Sequence, residues 1–115
     1  MSERTPKLLI EDILEAARKI RQFTNGLTFD QFLLDEKTFD AVVRNFEIIG
    51  EASNRLPDEF KSNRQSVDWA RIRSFRNRVV HDYFGIDHSI VWNIIQSYLQ
   101  ELTFELEAVL NDTDK

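Results

Sequence analysis

Apolar residues recur every three or four positions along most of this chain, and each such stripe marks a helix. Leu9, Ile13, Ala16, Ile20 and Phe23 form the first stripe, which predicts a helix from about Pro6 to Asn25. Thr5 suits its N-cap, Pro6 its first turn and Gly26 its stop. Residues 28–34 predict a short helix or turn carrying Phe29 and Phe32. Asp35 caps a second long helix running to about Leu56, ahead of Pro57. Its apolar face is Phe39, Val42, Val43, Phe46 and Ile49. Gly50 falls on the same face, where a glycine weakens a helix slightly and marks a close approach by a neighbour. Residues 57–66 are polar and turn-rich, with room for one helical turn. A third long helix is expected from about Val67 to Phe84, with Ser66 as N-cap and Gly85 as stop. The last is expected from about His88 to Leu110, capped by Asp87. It buries Val91, Ile94, Ile95, Tyr98, Leu99, Leu102, Leu106 and Val109, and residues 111–115 are expected to fray. Four main antiparallel helices plus short helical turns make an all-α, up-and-down bundle.

Composition narrows this picture. A chain of 115 residues is expected to be one domain, 1–115. Nine Phe, two Trp and two Tyr supply a core, and only three Gly and two Pro leave few turns. There is no cysteine, so no disulfide frame and no thiol chemistry, which fits a reducing cytoplasm. No apolar run approaches the roughly 18 residues of a membrane span. Met1-Ser2-Glu3-Arg4 leads into a charged amphipathic stretch rather than a signal peptide.

The net charge of −5 argues against a nonspecific nucleic-acid coat. The charge is uneven, however. Residues 61–81 hold Lys61, Arg64, Arg71, Arg73, Arg76 and Arg78 against Asp68 alone, a local +5 in a body that otherwise carries −10. A basic island in an acidic body suits a focused anion site. A solvated helix face opposite acids from other helices would give the same pattern.

Spacing along the third helix separates these readings. At about 100° per residue, Trp69, Ile72, Phe75, Val79, Val80, Tyr83 and Phe84 span one apolar arc with Arg76 inside it. An unpaired arginine is costly to bury. Arg76 therefore pairs with a core acid such as Glu47 or Glu51, lines a cleft, or sits where the arc faces a second subunit. His81 falls about 140° from Arg76 and Asn77 about 100°, so one copy's Arg76 and His81 do not point at one spot. A two-fold dimer through this helix would gather two of each around one cleft. The opposing reading is a surface His81 and a salt-bridged Arg76. Tyr83 lies about 20° from Arg76. Asp82 points away, and His88, at a helix start, suits a structural role. Arginine holds phosphate through a two-pronged fork, and histidine moves protons near neutral pH.

The run Arg76-Asn77-Arg78-Val79-Val80-His81-Asp82-Tyr83-Phe84 resembles the signature of HEPN-domain proteins, an arginine, four to six residues, then a histidine. Tyr83 makes it resemble the HepT branch more closely, with further matches at Ile49-Gly50-Glu51-Ala52, Trp69 and Ile90-Val91-Trp92. The resemblance covers about residues 5–110. It implies a homodimeric helical bundle acting as a metal-independent endoribonuclease toxin, the toxin half of a toxin–antitoxin pair. The other half would be a MntA-like minimal nucleotidyltransferase that silences it by AMPylation. Carried over by position, Arg76 and His81 would be catalytic, Asn77 would support them, and Tyr83 would receive AMP. Glu51 is expected to orient Arg76, a solvated acidic flank being the alternative, and Arg73 to support the site. Arg71, Arg73 and Arg78 would hold the RNA, tRNA or mRNA. No cofactor or metal is expected, since the chain has no His/Cys cluster for zinc and no glycine-rich phosphate loop. A second reading is a non-catalytic nucleotide- or substrate-binding partner of such a nucleotidyltransferase.

Overall fold

A computed structural model describes the backbone of residues 4–81 and 87–113 and the side chains of 4–77 and 87–112. Its elements are α1 (Pro6–Thr24), α2 (Phe29–Leu34), α3 (Glu36–Arg55), α4 (Asp58–Ser62), α5 (Trp69–His81), α6 (His88–Asn93), a π-helical stretch (Ile94–Tyr98) and α7 (Leu99–Thr113). No strand occurs among the described residues. The architecture is the all-α bundle that the periodicity implies, consistent with the HEPN-like fold that the resemblance implies.

Local chemistry sets the helix ends. Thr5 accepts a hydrogen bond from the Leu8 N–H at 3.2 Å, and Pro6 opens α1. Gly26, at φ 82°, takes the left-handed turn that closes it. Thr28 and Gln31 form a reciprocal capping box at α2. The Asp35 carboxylate accepts from the Thr38 hydroxyl at 2.7 Å and its N–H at 3.0 Å. Those bonds hold the Asp35 pKa below its ordinary value. Asp87 caps α6 through Ser89.

The start of α5 differs from the expected one. The helix begins at Trp69, and Asp68, not Ser66, accepts the Arg71 N–H at 3.0 Å. Asp68 is the stronger cap because its carboxylate also meets the positive end of the helix dipole. The expected stop at Gly85 lies outside the described residues.

The core joins α1, α3, α5 and the α6–α7 segment. Leu9, Ile10, Ile13, Ala16, Ala17 and Ile20 of α1 are buried, as are Phe39, Val42, Val43, Phe46 and Ile49 of α3. Phe23 was expected in this stripe but is 40% exposed, and Thr24 is buried in its place. Thr24 lies nearer the centre of the stripe. Its hydroxyl satisfies itself on the Ile20 carbonyl at 2.8 Å, which makes its burial tolerable.

The last helix is not one regular helix. Between Ile94 and Tyr98 it widens to a π turn, where the Leu99 N–H reaches the Ile94 carbonyl. Across the turn Ile95, Tyr98, Leu99 and Leu102 are all buried, still at the three-and-four spacing of a helix, while Ile94, expected in the buried set, is only half-buried. α7 also continues to Thr113, past the expected end at Leu110.

Tyr98 is the polar group at this turn. Its ring lies under the Arg71 guanidinium, 3.8 Å from the centroid. Its hydroxyl is buried with no hydrogen-bond partner among the described residues. Burial pushes the phenol pKa up to about 12. Tyr98→Phe is therefore expected to stabilise the protein by about 1 kcal/mol, because it removes an unsatisfied group and keeps the ring. A urea midpoint checks this, and a lower midpoint would mean that the hydroxyl is satisfied. A phenol whose pKa is raised on folding contributes stability that is full below about pH 10. That contribution fades as pH rises through about 12. Tyr98→Phe should therefore also lessen alkaline destabilisation.

Candidate active site

Arg76 stands in the middle of α5, on the face turned toward α3. The two helices are held together around it by Phe46 and Phe75, whose rings meet edge-on at 4.7 Å. Ile49 and Ile72, both buried, add to this contact. The arginine stem crosses α3 at Gly50. A Cβ built on Gly50 would overlap Arg76 Cβ and Cγ and sit 3.2 Å from Cδ. The close approach that Gly50 signals in the sequence is therefore the approach of Arg76.

Arg76 is half-buried. Its Nη1 donates to the Asn77 side-chain oxygen in a long bond of 3.4 Å. Its Nε is buried and has no hydrogen-bond partner among the described residues. No ion pair joins Arg76 to Glu47 or Glu51. Glu47 instead faces Arg44 at 3.5 Å, and Glu51 is exposed. Of the three expected resolutions for Arg76, pairing with one of these core acids is absent in the isolated chain.

The other arginines of the basic island divide into two kinds. Arg71 is stacked on Tyr98 as described above. Arg64 lies over the Phe60 ring at 3.8 Å and donates to the Phe60 carbonyl at 3.3 Å. Its own carbonyl accepts the Trp69 indole N–H at 3.0 Å. Arg64 and Arg71 thus brace the bundle. Arg73 is exposed, as is Asn77. The side chains of Arg78 and His81, and all of Tyr83, lie outside the described residues. His81 is the last residue of α5, and Tyr83 follows two residues later.

His88 is structural, as its place at a helix start suggests. Its ring stacks on Phe39 at 4.0 Å. The cluster continues through Phe32, which contacts Phe39 at 5.7 Å and Trp92 at 5.1 Å. This cluster anchors α6 to α2 and α3. Among the described residues, no three of His, Asp or Glu gather as a metal site would require, and no helix is long and apolar enough to cross a membrane.

Sequence reasoning did not place the aromatic partners of Arg64, Arg71 and His88. Pairs this far apart in sequence carry no periodic signal. Phe60 and Arg64 are only four residues apart, but Arg64 lies past the end of α4, so no helical face joins them.

A profile of the family described as Ribonuclease HepT-like matches residues 13–109. The chain belongs to the HepT-like ribonuclease family. A candidate RNase of Methanocaldococcus jannaschii is 37% identical over 99% of this chain and 94% of its own length. A probable ribonuclease HepT of Thermococcus cleftensis is 37% identical over 93% of this chain and 97% of its own length. A candidate RNase of Caldanaerobacter subterraneus is 34% identical over 93% and 96%. No solved structure matches the chain.

Proposed function

We propose that the chain is a metal-independent endoribonuclease toxin that cuts RNA at a cleft shared by two copies. The observation that carries this reading is Arg76. It is half-buried against Gly50 and, among the described residues, has no carboxylate partner and no acceptor for its Nε–H. A guanidinium in that state is suited to receive an anion, because desolvation strengthens its attraction for one. Membership of the HepT-like ribonuclease family makes an RNA phosphate the natural anion.

Four residues lie between Arg76 and His81, five helical steps that turn about 140° around α5. One copy therefore does not converge both groups on a single phosphate, whereas a two-fold dimer packed through α5 does. In that cleft, His81 accepts the proton of the ribose 2′-OH as its oxygen attacks phosphorus. Arg76 steadies the added negative charge on the phosphorane. The bond to the 5′-oxygen breaks, and His81 of the partner subunit protonates the leaving oxygen. The products are a 2′,3′-cyclic phosphate, or its hydrolysed form, and a 5′-hydroxyl. Asn77 steadies the guanidinium, Glu51 orients it when the cleft is assembled, and Arg73 supports the site. Arg73 and Arg78 hold the RNA backbone in a salt-sensitive way, joined by Arg71, which is exposed although one face of its guanidinium rests on Tyr98. Single-stranded or looped RNA, in tRNA or mRNA, best permits in-line attack.

The cognate antitoxin in this reading is a MntA-like minimal nucleotidyltransferase of the same cytoplasm. It transfers AMP to Tyr83, adding bulk and negative charge beside Arg76 that compete with the substrate phosphate.

The test is an RNA oligonucleotide with a single 2′-deoxy nucleotide at the cleaved position. The all-ribose strand is expected to be cut to cyclic-phosphate and 5′-hydroxyl ends, and the 2′-deoxy strand to remain whole. Cleavage of the 2′-deoxy strand, or 5′-phosphate ends, would sink the 2′-OH mechanism.

A further inference from the structure

We infer that Gly50 is a positioning residue for Arg76: its bare backbone lets the arginine stem cross α3 and fixes where the guanidinium is presented. The inference rests on the catalytic reading of Arg76. A methyl group at position 50 would overlap the Cβ and Cγ of Arg76 and crowd its Cδ. Arg76 Cβ is fixed to the α5 backbone, so no rotamer removes that overlap. Either α5 must move away from α3, or the arginine stem must leave the α3 surface.

The surroundings oppose the first response. Phe46 and Phe75 are in edge-on contact, and Ile49 and Ile72 are 3% exposed. Helix separation would open this packed layer on both sides of position 50. Either response moves the guanidinium on the scale of a bond length or more. A displacement of about 1 Å at a catalytic group costs on the order of 100-fold in rate. Gly50 touches no reacting atom itself. A helix interior disfavours glycine by about 1 kcal/mol relative to alanine, so alanine here would favour α3 locally while displacing the group that works. Ala52, two residues on in the same helix, is a buried alanine, so small size alone does not explain a glycine at 50.

The test is a double-substitution cycle. Wild type, Gly50→Ala, Arg76→Ala and the double variant are compared in single-turnover cleavage of total tRNA, with RNA affinity and thermal melting followed alongside. Gly50→Ala is expected to lose about 100-fold in the cleavage step while RNA affinity changes far less. The double variant keeps the Cβ–Cβ overlap but has no guanidinium left to displace, so its further loss relative to Arg76→Ala alone is expected to be small against 100-fold. A Gly50→Ala protein that cleaves close to the wild-type rate would overturn the inference. So would a double variant slowed by the product of the two single losses, which is the behaviour of a merely structural glycine. Undiminished cleavage by Arg76→Ala would instead overturn the catalytic reading on which the inference rests. If Gly50→Ala does not fold, the pair Gly50→Ala with Arg76→Gly decides. Recovery of folding would locate the conflict at Arg76, and failure to recover would reject it.

Discussion

Arg76→Ala is expected to lower RNA cleavage by about 100- to 1,000-fold, the usual loss when one preorganised donor to a transition-state oxyanion is removed. The fold should survive. Arg76 makes a single long hydrogen bond to Asn77 and leaves its Nε unsatisfied among the described residues. Removing it therefore breaks little and relieves a buried polar group. Catalytic groups often stand in this relation to stability, since a group held ready for substrate is not satisfied without it. Single-turnover rates together with a melting curve check both halves. A large fall in melting temperature would show that Arg76 holds the fold, and the rate loss would then say nothing specific about chemistry.

Phe32→Ala is expected to destabilise the protein by about 3–5 kcal/mol, the range for deleting a buried aromatic side chain. Phe32 is 0% exposed and lies between Phe39 of α3 and Trp92 of α6. It belongs to the cluster in which His88 stacks on Phe39. The loss should therefore exceed a plain transfer cost, because α2 has little else to hold it. A six-residue helix is not stable without packing. Chemical denaturation gives the value. A loss below about 1 kcal/mol would mean that the site collapses to fill the space, against the closed aromatic cluster described here. The same variant should weaken cleavage even where it remains folded, because this cluster anchors α6 to α3, the helix on which Arg76 rests.

Much of this fold is legible in the sequence because the stripes are long and the caps specific. Thr5, Asp35 and Asp87 each cap the helix expected of them. The departures have local causes. Ser66 loses to Asp68 because a carboxylate beside a helix start carries charge as well as a lone pair. Phe23 and Thr24 are adjacent, and hydrophobicity favours the wrong one. Position on the helix face decides, and a threonine can satisfy its hydroxyl on its own helix. The π turn at Ile94–Tyr98 leaves no mark in the pattern, because the buried positions across it keep the three-and-four spacing of an ordinary helix.

The site was partly legible. Arg76 stood out as a charge inside an apolar arc, and Gly50 as a gap on the facing helix. Their contact joins two residues 26 positions apart in sequence, which no local spacing reports. Glu51 was the expected partner of Arg76, yet it is exposed and forms no ion pair with it in the isolated chain. The acidic flank and the arginine share a helix pair without meeting.

The decisive measurement is cleavage of total tRNA and mRNA by purified wild type and His81→Ala with EDTA present, after mass spectrometry has shown Tyr83 free of AMP. The account predicts that wild type cuts and His81→Ala does not, although both form the same dimer. Equal cleavage by the two proteins, or cleavage by wild type that EDTA abolishes, would contradict it.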